Sequence, residues 1–288
     1  MGAYFRRTFA ALCAGLVVAV AGCAPSPASP ENPFVSLCED PIVVDCGHDA
    51  WPAGITVAAD AATGDVLAFT ARVRGALTDA QRENSQDAIV PPEVTLRADD
   101  PDAVALDPEV APAPKWQFTV RPGESDDALA GVLEAAAVPG ASGISAGLGW
   151  PSAVAATLSD VEPLIRDLSS TSLFADGGTF TVPSLDEHFR LVYVPAYTTM
   201  DGVRAVVSVA RDYPDAEVLL EAPTAGPNQP TFYVARLSAD EATQLAARLS
   251  EPAMASASVE GVPLEFVLTS RSEQGTTSIT GTFGGAEG

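Results

Sequence analysis

The chain is poor in basic residues. It has 288 residues, with 15 Lys+Arg against 38 Asp+Glu and a net charge of −23. Lys115 is its single lysine. Nucleic-acid binding draws on clustered Lys and Arg to neutralise phosphates, so this balance argues against a nucleic-acid partner. It argues equally against a polybasic membrane-surface protein. Histidine is scarce too, with His48 and His188 alone. No HExxH, CxxC, Walker A or Ser-x-x-Lys pattern occurs, and no apolar run reaches the roughly 20 residues a membrane-spanning helix needs. Aromatics make up only 7%, which leaves no broad platform for stacking carbohydrate. What is present in quantity is apolar residue, at 47%, enough for a packed core.

The amino terminus is ordered as a targeting segment. Arg6 and Arg7 form a short positive region, an apolar stretch runs from Thr8 to Ala21, and Val20-Ala21-Gly22-Cys23 follows. This length fits the apolar region of a signal peptide. The final four residues resemble the lipobox of bacterial lipoproteins. The resemblance implies cleavage before Cys23, diacylglyceryl attachment to its thiol, and a lipid-anchored protein on the extracytoplasmic face of the cell membrane. Two acyl chains give stable anchoring where one is marginal. Removing residues 1–22 takes away two arginines and no acid, so the net charge moves from −23 to −25. Arg6-Arg7-Thr8-Phe9 also resembles a twin-arginine export motif in part, although Phe5 stands where Ser or Thr is usual.

Cys13 falls inside the apolar region and Cys23 is the lipid site. Cys38 and Cys46 remain as an even pair in an exported chain, and the expectation is a disulfide. A loop of about nine residues closed in this way contributes roughly 2.5 kcal/mol by chain entropy. The rival is a metal site of Cys38, Cys46 and His48, which lacks a fourth ligand and close CxxC spacing.

Gly143-Ile144-Ser145-Ala146-Gly147 matches G-x-S-x-G. A nucleophile elbow needs a buried strand before it and a helix directly after it. Pro139 and Gly140 before it and Leu148-Gly149-Trp150-Pro151 after it fit neither. His48 lies beside Asp45 and Asp49, and His188 beside Asp186 and Glu187; each imidazole has a carboxylate that could orient it, but polar flanks point to exposed loops. Asp99, Asp100, Asp102, Asp107 and Glu109 form an acidic loop, dense in oxygen ligands for Ca²⁺ but without EF-hand spacing. No catalytic residue, metal ligand or cofactor site is assigned.

The predicted fold class is α+β, two tandem ferredoxin-like (βαββαβ) units after a disordered tether. The expected boundaries are 1–22 signal peptide, 23–34 Pro/Ser-rich tether, 35–150 first unit, 151–187 helical linker, 188–270 second unit and 271–288 flexible tail. The second unit is the clearest. Phe189–Val194 reads as a strand, followed by Thr198 and Asp201 at capping-box spacing. Val203, Val206, Val207 and Ala210 then share one helical face. Residues 216–221 and 231–236 read as strands around a turn-rich segment. Ser238 and Glu241 form another capping box, ahead of Ala242, Leu245, Ala246 and Leu249 on one helical face. Val262, Leu264, Phe266 and Leu268 alternate as in a half-buried strand. The first half reads similarly, with a strand at 55–58, a helix through Val66, Phe69, Val73 and Leu77, strands at Val94–Leu96 and Trp116–Val120, a helix through Leu129, Val132, Leu133 and Ala136, and a weak strand at 144–148. Val154, Leu158, Val161, Ile165 and Leu168 suggest one linker helix, kinked at Pro163. The phase stays open, since 144–221 also reads as βαββαβ.

The functional expectation is a lipid-anchored envelope lipoprotein with a non-catalytic binding or scaffolding role, its partners the membrane through Cys23 and an envelope protein. The alternatives are an envelope hydrolase with an unrecognised Ser/His/Asp site and a solute-binding lipoprotein of a transporter.

Overall fold

A computed structural model of the chain describes residues 33–47, 53–83, 93–100, 112–123, 125, 127–147, 149–175, 177–221, 231–259, 261–272 and 275–285. The signal peptide, Cys13, Cys23, nearly all of the tether and His48 lie outside them. So do Asp102, Asp107 and Glu109 of the acidic loop, and the turn-rich segment 222–230.

Helix α1 (Pro33–Cys38) and strand β1 (Val43–Asp45) lead into a repeated strand–helix–strand pattern. The first pass is β2 (Gly54–Val57), α2 (Thr63–Glu83) and β3 (Val94–Ala98). The second is β4 (Trp116–Val120), α3 (Asp127–Ala135) and β5 (Ala141–Ala146). The third is β6 (Ser152–Ala155), α4 (Val161–Leu168) and β7 (Phe180–Pro183). The fourth is β8 (Phe189–Tyr193), α5 (Met200–Asp212) and β9 (Glu217–Leu220). Strand β10 (Thr231–Leu237) and α6 (Ala239–Leu249) open the fifth. A small hairpin of β11 (Ser258–Val259) and β12 (Val262–Pro263) precedes β13 (Glu265–Ser272), and β14 (Gly275–Thr282) ends the sheet.

Within each pass the two strands are parallel neighbours, and successive passes join through antiparallel pairs. The result is one mixed sheet of 12 strands, with β1 to β10, β13 and β14 in chain order.

The α+β class is therefore present, but two ferredoxin-like units are not. A split βαβ unit inserts another strand between the two that its helix connects. Here β8 and β9 pair directly, Phe189 beside Val218 and Leu191 beside Leu220. The order of elements over 188–270 is as expected; their spatial order is not, because strand neighbours depend on pairing across the sheet and not on local periodicity.

Burial is mainly one-sided, although Thr119 and Val192 are buried on the opposite side. Val182, Leu191, Leu220, Phe232 and Phe266 follow one another across five strands, and each is almost wholly buried. Ile55, Leu96 and Phe118 do the same in the first half. The helices cover this face, α2 against α3 and α4 against α5. Val66, Phe69, Val73 and Leu77 of α2, and Val203, Val206, Val207 and Ala210 of α5, bury the faces their spacing predicts. Each fully buried Val, Leu or Phe contributes about 1.5–3 kcal/mol relative to exposure. Among the described residues, no helix is long and apolar enough to cross a membrane.

Local signals were met unevenly. Ser238 caps α6 with a full capping box, its hydroxyl accepting from the Glu241 amide. The cap of α5 is Thr199, whose hydroxyl accepts from the Gly202 amide, and not Thr198. Thr198 instead accepts from the Val194 amide through its Oγ1. The expected linker helix over 152–170 is shorter: Ser152–Ala155 is a strand, and the helix starts only at Val161. Pro163 does not kink it. It lies in the first turn, where its missing N–H would have had no partner within the helix. The expected linker 151–187 thus supplies strands β6 and β7 to the sheet and α4 between them, and the expected flexible tail supplies β14.

Ser145 lies within β5, and its glycine neighbours are there for close approach. A Cβ on Gly143 would lie 2.8 Å from the Pro114 carbonyl oxygen. Gly147 has φ +106, and a Cβ there would lie 2.8 Å from the Thr119 amide nitrogen. Both strain and overlap oppose a side chain at 147. Gly147→Ala is expected to destabilise the fold by about 2 kcal/mol or more. Urea unfolding checks this against Gly149→Ala, whose Cβ would meet nothing within 4 Å although φ is also positive.

Candidate functional site

The side of the sheet away from the helices is open. Asp45, Thr56, Arg97, Gln117, Ser145, Ser152, Thr181 and Val192 lie side by side in one row across β1 to β8. A second row, Pro183, Arg190, Leu219, Tyr233, Val267 and Thr280, crosses β7 to β14. Most of these residues are half-buried or exposed, with Val192 buried. They are mainly hydroxyl-bearing and polar, as a solvated sheet face requires.

Ser145 is therefore a member of this face, half-buried between Gln117 and Ser152. The segment after it is another strand, and α4 starts only at Val161. The strained strand-to-helix turn that makes a serine nucleophilic is absent at this position.

His188 belongs to the turn between β7 and β8. Ser184 Oγ donates to Asp186 Oδ1 at 2.5 Å and accepts from the Phe189 amide at 3.0 Å. The His188 amide donates to Asp186 Oδ1 at 3.2 Å. The His188 imidazole is 3.9 Å from Asp186 Oδ2. A catalytic triad would put the imidazole between serine and carboxylate. Here the carboxylate accepts hydrogen bonds from the Ser184 hydroxyl and the His188 amide directly, so the three residues close a turn. Burial opposes ionisation of Asp186, but the Ser184 and His188 hydrogen bonds outweigh it and hold its carboxyl below the usual range. A cavity of about 260 Å³ adjoins this turn, lined in part by Leu158, His188 and Arg211.

Cys38 and Cys46 are bonded to each other, with Cα atoms 5.7 Å apart. The bridge ties the end of α1 to the residue after β1, and both thiols are used, which removes them as metal ligands. Asp99 is paired with Arg97 at 3.1 Å. Among the described residues, no three His, Cys, Asp or Glu side chains are grouped to hold a metal ion.

The most distinctive site is a groove on the open face, about 490 Å³, where the two polar rows meet. Ser152, Thr181, Pro183 and Arg190 line it from the strands, and Trp150 and Glu187 line it from the loops that rim the face. The Thr181 amide donates to the Pro151 carbonyl at 2.9 Å, which fixes the rim loop beside β7. Trp150 is 53% exposed, whereas Trp116 is buried. Glu187 is held at φ +60, unusual for a residue other than glycine. The Arg190 side chain has no hydrogen bond or ion pair to any described residue, in a chain whose described arginines are mostly paired. An exposed indole, two hydroxyls, a guanidinium and a carboxylate around an open groove can hold a polar ring. An indole can cover the apolar face of such a ring while hydroxyl, guanidinium and carboxylate groups meet its polar edge.

Sequence reasoning did not find this groove. Trp150 and Arg190 are 40 positions apart, and only the pairing of β6, β7 and β8 brings them together. Comparison with protein-family models, curated proteins and solved structures gives no match.

Asp186→Ala is expected to lower stability by about 1 kcal/mol, less than a buried charged hydrogen bond would, because its side chain is 56% exposed. The carboxyl is held below its usual value of 3.8, so its contribution is present above that pH and is lost as pH falls through the folded value. The thermal midpoints of wild type and variant should therefore differ at pH 7 and converge towards pH 2.

Proposed function

We propose that this protein is a lipid-anchored lipoprotein on the extracytoplasmic face of the bacterial cell membrane, with a non-catalytic binding or scaffolding role. Its binding surface is the open face of the sheet, and the groove at Trp150 and Arg190 is the contact point for a polar ring such as a sugar residue. The observation that carries this reading is the exposed Trp150 beside the unpaired Arg190 on an uncovered sheet face. An open groove leaves much of a ligand in solvent, which suits one unit of an extended polymer better than a captured solute. The charge of −25 after cleavage disfavours polyanions and leaves neutral glycan as the better match. Transporter solute capture would need a cleft between two lobes, and the described strands instead form one run of 12 with a two-residue-strand hairpin beside it. The Ser184, Asp186 and His188 turn gives the hydrolase alternative no support.

Two measurements test the two halves of this reading. Cys23→Ser is expected to abolish incorporation of labelled fatty acid and to release the protein from membranes; unchanged labelling would refute the anchor. Titration with N-acetylchitotriose is expected to give a saturable change in tryptophan emission that Trp150→Ala removes. Arg190→Ala should weaken binding roughly tenfold, about 1.4 kcal/mol. No change in the wild type, or an unaltered response in Trp150→Ala, would refute the groove as a glycan site.

A further inference from the structure

The two edges of the sheet differ. Strand β1 is three residues long, carries Asp45, and is tied down by the Cys38–Cys46 bridge. Strand β14 is eight residues long, Gly-Thr-Thr-Ser-Ile-Thr-Gly-Thr, with no charge and no proline. Natural sheets protect long edges with charges, prolines or bulges, and β14 has none of these. It pairs with β13 without a register shift. Among the described residues no strand pairs with its outer side.

We propose that β14 is a self-association edge, pairing antiparallel with β14 of a second copy about a two-fold axis at Ile279. In that register Ile279 meets its own counterpart, Ser278 meets Thr280, Thr276 meets Thr282, and Thr277 meets Gly281. The strand's one large apolar residue is then matched with itself, and hydroxyls on the open face are matched with hydroxyls. Opposed Thr and Ser hydroxyls hydrogen-bond across neighbouring strands and favour this pairing.

The self-matching of Ile279 and of the hydroxyls selects a second copy as the occupant, and charge bears on the register. A chain of net charge −23 repels its own copies over most of its surface, and β14 is an uncharged stretch of it. On the open face Arg271 adjoins Thr276, and Glu265 adjoins Thr282. Two-fold pairing places Arg271 of one copy and Glu265 of the other in one row, three strand spacings or roughly 14 Å apart. Neither has an ion pair to a described residue. At that distance solvent and salt screen most of the attraction, so the pair favours this register more than it adds affinity. An edge contact of seven residues from each copy, Thr276 to Thr282, is small, and the dimer is a weak one. The pairing is independent of the glycan reading and of the lipid anchor.

Ile279→Cys in the full chain tests it. Oxidation with copper phenanthroline is expected to give a disulfide-linked dimer on a non-reducing gel. Thr95→Cys, on the open face far from the edge, should give none. Adding Ser278→Lys and Thr280→Lys opposes like charges across the axis on solvent-facing positions and is expected to cut the crosslink at least fivefold. Absence of a crosslink at 279, or its persistence with both lysines present, overturns the proposal, and circular dichroism of each variant separates this outcome from misfolding.

Discussion

The structure depends on burying one side of a sheet. Strand side chains alternate between two faces, so one apolar layer of helices can satisfy only half of them. Leu191, Leu220, Phe232 and Phe266 face the helices and are fully buried. Arg190, Leu219, Tyr233 and Val267, each one position away, face solvent or are half-buried. Repetition of strand–helix–strand passes extends this division across 12 strands. The same division produces a wide polar surface without any separate domain to form it.

That surface is where the chain departs from a purely structural pattern. A solvated sheet face needs only hydroxyls and scattered charges. An exposed tryptophan, an unpaired arginine and a glutamate at positive φ around one groove exceed that need. The loop carrying Trp150 follows Gly147, whose backbone lies against Thr119 and leaves no room for a side chain. The turn carrying Glu187 is closed by Ser184 and Asp186. Both rims are therefore set by local constraints, and the G-x-S-x-G string is accounted for by packing.

Much of the local structure was legible in the sequence. Val203, Val206, Val207 and Ala210 marked α5, Ser238 and Glu241 marked the start of α6, and the leftover cysteine pair marked the disulfide. The errors have physical causes. Ser152–Ala155 reads as helix in the sequence because Val154, Leu158 and Val161 happen to continue the spacing of α4. Strand β7 has four residues and ends in proline, too short to show alternation. Strand β14 resembled a tail because an edge strand on an open face has little apolar surface to bury, and only Ile279 signals it. Strand order and the groove are properties of pairing between distant segments, which no local window contains.

Thiol accessibility tests the one-sided sheet most directly. Single cysteines at Arg97, Arg190 and Glu217 are to be compared with cysteines at Leu96, Leu191 and Val218, one position along the same strands. The account predicts that the first three react with maleimide in the native protein nearly as fast as a free thiol, while the second three react only on unfolding. Equal protection of both sets would mean that a second layer covers the polar face, and would contradict the account.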